Sequence, residues 1–217
     1  MRKLKFAVAM AFACAILIGC AAPRSVVDPS WTQKPGKVKV VFTEPFVANP
    51  DDLQDDLPDY VNNFPDWFKA QVEANIGKYS SGVNFSVERI SADMVSAEAA
   101  SLDGVNIKVP KIKQMDNDAD IYLVLNDVWF GRTEAESACA GSFGAGGVGG
   151  GMMVGGCVSK QFTAKGNFAY FDVKTGKRVA YGDFEANSSY TFAVSQGDWE
   201  SVVLGALDKM LSNTPLK

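Results

Sequence analysis

CAGSFGAGGVGGGMMVGGC, residues 139–157, constrains this chain more than any other stretch. Nine glycines lie between its two cysteines. Each glycine in a helix interior costs about 1 kcal/mol against alanine, so a helix here is expensive. Gly144, Gly146 and Gly149 do satisfy G-x-G-x-x-G. That fingerprint must leave a strand directly and open a helix whose N-terminus meets a pyrophosphate. Here the last strand-like residue, Phe130, is far upstream, MMVGG is a poor helix start, and no Gly-Lys-Ser/Thr follows to make a P-loop. No nucleotide cofactor is expected. Gly147, Gly151 and Gly155 are spaced as small-xxx-small, which lets helices approach closely in membranes. The stretch falls short of the roughly 20 residues of a spanning helix, and a membrane hairpin of about 9–11 residues per strand would have to recruit its flanks. The third use is a long flexible insertion joining two neighbouring antiparallel strands.

Choosing among these uses depends on where the chain resides. Arg2, Lys3 and Lys5 precede an apolar run from Phe6 to Ile18, the layout of an export signal too short for a permanent span. The run ends Leu17-Ile18-Gly19-Cys20, which resembles the lipobox of bacterial lipoproteins. The resemblance implies that residues 1–19 are removed. Cys20 would then carry a diacylglyceryl thioether and an acylated amine, with palmitate-type chains enough for stable anchoring. Ala21 at the next position, rather than aspartate, implies the outer membrane, facing the periplasm. The glycine spacing likewise resembles glycine-zipper segments of some outer-membrane lipoproteins. Residues 20–36, with three prolines and no amphipathic period, read as a lipidated tether. Beyond Cys20 only Cys139 and Cys157 remain, in an oxidising compartment. A disulfide between them is expected, closing the loop at its base and restricting the unfolded chain by ~3 kcal/mol.

Removal of residues 1–19 leaves 198 residues, with 18 basic against 25 acidic side chains and a net charge of −7. Such a chain supports one sizeable core and lacks the basic footprint of a nucleic-acid partner. It has no histidine, which removes Ser-His-Asp and Cys-His catalysis and histidine-based zinc sites. Asp116, Asp118 and Asp120 resemble the start of a calcium loop, but Ile121 stands where the loop needs glycine, and no glutamate follows at the twelfth position. They read as a polar loop entering a strand, and the acidic run from Asp51 to Asp59 reads as a solvated surface. No catalytic residue, metal site or cofactor is expected.

The remaining patterns define the fold class. Lys37–Phe42 reads as a strand, and Phe64, Trp67, Phe68, Val72 and Ile76 mark one face of a helix with Asn63 as its cap. Val83–Ile90 reads as a strand and Ser91–Ser101 as a short helix. Asp120–Phe130 is nearly unbroken in apolar residues and reads as a central strand. Phe162–Val173 and Arg178–Phe192 form a hairpin about Lys174–Lys177, with a slip near Gly182. Trp199, Val202, Val203, Ala206, Leu207 and Met210 stripe a closing helix. The class is α+β: a mixed β-sheet with a long antiparallel hairpin and helices packed on it, in one periplasmic domain over residues 37–217.

ADIYLVLNDV, FDVKTGKRV and the closing amphipathic helix together resemble a periplasmic fold of binding and assembly modules. It is shared by the curli-secretion lipoprotein, the lipoprotein activators of penicillin-binding proteins and the Tol N-terminal domain. The resemblance implies a non-enzymatic, protein-binding or envelope-assembly accessory with an envelope protein partner. The alternative is an oligomeric secretion or pore component using the glycine-rich segment for membrane insertion or packing.

Overall fold

The computed structural model describes residues 24–53, 63–140 and 154–217. Cys20, residues 1–19 read as an export signal, and the centre of the glycine-rich stretch lie outside the described residues. In chain order the elements are β1 (Ser25–Val27), β2 (Lys37–Phe42), β3 (Phe46–Val47), α1 (Pro50–Leu53), α2 (Phe64–Tyr79) and β4 (Asn84–Arg89). A 3₁₀ turn follows at Ala92–Met94, then β5 (Val95–Leu102), β6 (Val105–Ile112), β7 (Ile121–Ala140), β8 (Val154–Asp172), β9 (Arg178–Ser189) and α3 (Gln196–Leu211). The main sheet runs β1-β9-β8-β7-β2-β4, with β3 continuing beside β7 after β2 ends. β4, β2 and β7 are parallel, joined through the α2 crossover, whereas β7, β8, β9 and β1 are antiparallel. The mixed sheet and packed helices are the α+β class read from the sequence.

Strand alternation divides the core into two faces. Val38, Val40 and Phe42 join Ile121, Leu123 and Leu125 beneath the helices. Asp127, with φ of 52°, then adds one residue to β7 opposite β8, between Asn126 and Trp129. The bulge changes β7 from odd to even inward positions, so Val128 and Phe130 stay on the helix side beside Phe162. Trp199 of α3 is fully buried among them, with ring centroids 4.3 Å from Phe162, 5.4 Å from Phe64 and 5.8 Å from Phe130. The striped residues of α2 and α3 are those that pack. The first turn of α3 is fixed by Ser195 and Asp198, which cap each other's backbone N–H groups. Asn63 does not cap α2 with its side chain; its amide donates instead to Asp66, at 2.8 Å.

The opposite face is covered by the β5–β6 hairpin, with Val109 against Val41, Tyr122, Val124, Ala169 and Phe171. The segment read as a short helix, Ser91–Ser101, is therefore mostly strand. Its turn, Asp103-Gly104, has φ of 51° and 79°, the left-handed pair of a two-residue hairpin. The slip expected near Gly182 lies three residues earlier on the same strand, at Val179, the extra residue of β9 between Ala180, opposite Tyr170, and Arg178, opposite Phe171. Gly182 pairs regularly with Phe168, and its missing side chain admits β1: a Cβ there would stand 2.3 Å from the Arg24 carbonyl oxygen. The stretch read as a tether thus joins the sheet at Ser25, and Trp31 packs on Tyr170 at 5.2 Å.

Candidate functional site

β7 and β8 outrun the rest of the sheet. β2 ends on β7 at Leu125 and β3 at Phe130, while β9 ends on β8 at Gln161. Among the described residues, seven further pairs, from Glu134↔Lys160 to Ala140↔Val154, have no third strand on either side. At about 3.3 Å per residue this is a two-stranded ribbon projecting ~20 Å. No residue from Ser137 to Ser159 is charged and none is proline. Charge, proline and bulges are the usual protections of an open strand edge, and this part of the ribbon lacks the first two.

The ribbon's base is polar and fixed. Thr163, almost fully buried on β8, donates to Asn187 Oδ1 on β9 at 2.7 Å, leaving its oxygen to accept from Thr133 of β7 at 2.5 Å. This line across three strands holds the last fully supported rungs in register. Above it the Arg132 guanidinium lies over the Tyr190 ring, 5.9 Å from its centroid. Tyr190 N–H donates to Lys160 O at 3.2 Å, and Phe192 stands 93% exposed in the following loop.

The expected disulfide is corrected by this geometry. Cys139 stands opposite Gly155 and Cys157 opposite Ser137, so the cysteines occupy diagonal register positions and no disulfide joins them. Diagonal Cα atoms lie about 7–8 Å apart, beyond the roughly 4.4–6.8 Å that a disulfide spans. The ladder itself closes the base of the segment. Gly155, one of the small-xxx-small positions, is in strand, whereas the other glycines of both motifs fall outside the described residues.

The aspartates before β7 also have a structural use. Asp120 Oδ2 accepts from the backbone N–H groups of Gly36 and Lys37, both at 3.0 Å. Lys39, nearly buried on β2, lies 3.0 Å from Glu88, 3.3 Å from Asp118 and 3.5 Å from Asp116. Burial works against its charge, but the carboxylates outweigh burial and hold Lys39 protonated well above the ordinary lysine range. Desolvation pushes the Asp118 carboxyl up, and the same lysine outweighs that push and holds it below its usual value. Composition alone does not locate this cluster, because its members come from β2, β4 and the loop before β7.

An open cavity of about 480 Å³ lies beside the β7 bulge, with Arg24, Asp127, Lys165, Asn167, Asp183 and Asn187 in its lining. Burial raises the Asp183 carboxyl, and Arg24, 3.3 Å away, draws it back. This pair ties β1 to β9. Among the described residues, no group of His, Cys, Asp and Glu is arranged to hold a metal ion, and no helix is long and apolar enough to cross a membrane.

Fold and site together define a class: a layered α+β domain in which, among the described residues, the β7–β8 hairpin runs on beyond its neighbouring strands. No family model matches the chain, and no curated protein matches it. Among solved structures it is similar to a PelC dodecamer from Paraburkholderia phytofirmans, at 14% identity over 89% of this chain and 97% of that one, with a TM-score of 0.41. A neuraminyllactose-binding hemagglutinin homologue from Helicobacter pylori matches at 10% identity over 83% and 82%, with a TM-score of 0.36. A minor lipoprotein from Acinetobacter baumannii matches at 15% identity over 81% and 85%, with a TM-score of 0.27. At these values the likeness is general. It reaches a lipoprotein, gives no finer support to the curli-secretion group, and carries no function across.

Proposed function

We propose that the protein is an oligomerising component of the bacterial outer membrane, of the secretion or pore class. In this reading it is anchored at Cys20, faces the periplasm, performs no catalysis, and assembles through its ribbon. One observation carries the reading: among the described residues, β7 and β8 continue for seven pairs beyond any neighbouring strand, and past Lys160, whose carbonyl accepts from Tyr190 N–H, both outer edges are open. In water such edges invite pairing with another chain. In a bilayer a lone hairpin is worse placed, because unsatisfied backbone groups cost several kcal/mol each and only closed barrels satisfy every edge. Hairpins contributed by several copies meet that requirement, and a single copy does not. Small uncharged residues at 137–140 and 154–159 suit close approach between such copies. A monomeric adaptor would leave both edges without a partner.

The test is the particle mass in detergent of the intact protein and of a variant in which residues 135–159 are replaced by an Asn-Gly turn. Glu134 and Lys160 face each other across the ladder, so the shortened hairpin closes in register. The intact protein should form a discrete oligomer and the shortened one a monomer. Two monomers, or two identical oligomers, would remove the proposal.

A further inference from the structure

We infer that the loop at 190–194, together with Arg132 and Lys160, is a membrane-interface contact, so that the base of the ribbon rests at the surface of the bilayer that anchors the chain. The inference depends on the anchoring of Cys20 proposed above. A singly exposed hydrophobic residue is common on protein surfaces, so Phe192 alone decides nothing. Its position decides more. Phe192 is 93% exposed at the end of the domain from which the ribbon departs, beside Tyr190, Arg132 and Lys160, which line a shallow cavity of about 300 Å³ with it. Aromatic rings and long cationic stems are the side chains that favour the headgroup level, the rings as interfacial anchors and the cations by extending to water.

Chain geometry supplies the second, independent support. β1 runs away from the ribbon end, with Ser25 opposite Gly182, Val27 opposite Ala180, and the Arg24 carbonyl accepting from Asp183 N–H. Its N-terminal end therefore points toward the ribbon. Four residues from Arg24 back to Cys20 reach at most ~14 Å. From Asp183 to the end of β9 at Ser189 is ~20 Å of strand. A bilayer held at Cys20 with the sheet upright meets the ribbon and the 190–194 loop before it can stand clear of them. The occupant this places on the loop is the lipid interface itself, rather than a periplasmic protein.

The experiment uses the full lipidated chain carrying Phe192→Trp, reconstituted in vesicles of phosphatidylethanolamine and phosphatidylglycerol. Wild-type emission is subtracted to isolate the new indole from the four native tryptophans. Relative to the same protein in lipid-free detergent-depleted buffer, its emission should shift to the blue, and lipids brominated along the acyl chain should remove most of it. A blue shift that bromolipids leave unquenched would place the side chain against a neighbouring copy and overturn the inference. An emission unshifted by vesicles would overturn it as well. Particle mass measured on the same sample separates the two proposals: an intact oligomer with an unquenched indole sinks only the interface contact. Phe192→Ser gives the converse readout, with unchanged oligomer mass and weaker retention on vesicles once the anchor is removed by Cys20→Ser.

Discussion

The two halves of the β7–β8 hairpin share one ladder and differ in everything that surrounds it. Residues 121–133 lie between helices on one side and the β5–β6 hairpin on the other, and they present Ile, Tyr, Leu, Val, Trp and Phe. Residues 134–140, with 154–160 opposite, pair with no third strand among the described residues and are mostly Ala, Gly, Ser and Cys. The proximal half therefore contributes stability through buried area, about 25 cal/mol for each Å² of apolar surface. The distal half has little side chain to bury within its own chain. A hairpin built only for stability would end near Thr133. Its continuation points to a use outside the domain.

The largest effect belongs to the proximal half. Trp199→Ala removes a fully buried ring that touches Phe64, Trp67, Phe130 and Phe162. It should cost ~3–5 kcal/mol in chemical denaturation, with Leu207→Ala at ~2–5 kcal/mol by the same reasoning. A change near zero in both would move the α3 stripe from core to partner interface.

Next comes the junction between the halves. Thr163→Val leaves Asn187 without its donor and Thr133 without its acceptor, and a stranded buried polar group costs ~1–3 kcal/mol. Amide exchange should quicken in the rungs around Thr133 and Thr163 more than in those around Leu123. Equal quickening throughout would mean that the threonine line does not mark the boundary.

Acid acts on the domain. Asp118, despite desolvation, is held low by Lys39; Glu98 is held low by Lys111; and Asp198, despite desolvation, is held low by Ser188 and Ser195. A carboxyl depressed in the folded state adds stability above its unfolded value, about 3.9 for Asp and 4.3 for Glu. That stability is lost as pH falls through the folded value. Lys39 has the opposite sign: its raised value gives stability that is complete below the unfolded pKa of about 10.4 and lost only at still higher pH. Asp183, raised by burial, is relieved by acid and offsets part of the loss. The denaturation midpoint should therefore fall below about pH 4, and Lys39→Met should flatten that fall. An unchanged slope in Lys39→Met would deny the cluster its role.

The smallest effect is expected from the distal half. Replacing residues 135–159 by a short turn should alter monomer stability by no more than about 0.5 kcal/mol, as for surface changes away from the core. A loss of several kcal/mol would make the ribbon part of the core and erase the contrast.

The proximal half is legible in the sequence, and the distal half is not. The α3 stripe at 199–210 and the run 120–130 carry strong periods because each buries one face or both. The β5–β6 hairpin hides because its first strand lacks bulky side chains. Val95–Leu102 reads VSAEAASL, rich in helix formers, and only tertiary cover makes it strand. Its Asp103-Gly104 pair is the available signal. The ribbon gives none, since ESACA has no apolar alternation and its strand state comes from pairing with β8 alone. Compartment and elimination pair the cysteines but say nothing of register, and one diagonal step in the ladder decides against the bond. The Lys39 cluster is hidden because its carboxylates are distant in sequence.

Amide hydrogen exchange along the ribbon tests the central claim most directly. In a two-stranded ladder only alternate N–H groups are bonded within the pair, so about half of those at 134–140 and 154–160 point outward. In the detergent-assembled protein these outward amides should exchange as slowly as those of Ile121–Leu125, and they should become fast when the assembly is dissociated. Fast exchange at 134–140 and 154–160 within a verified oligomer would show the edges still open and contradict assembly through the ribbon.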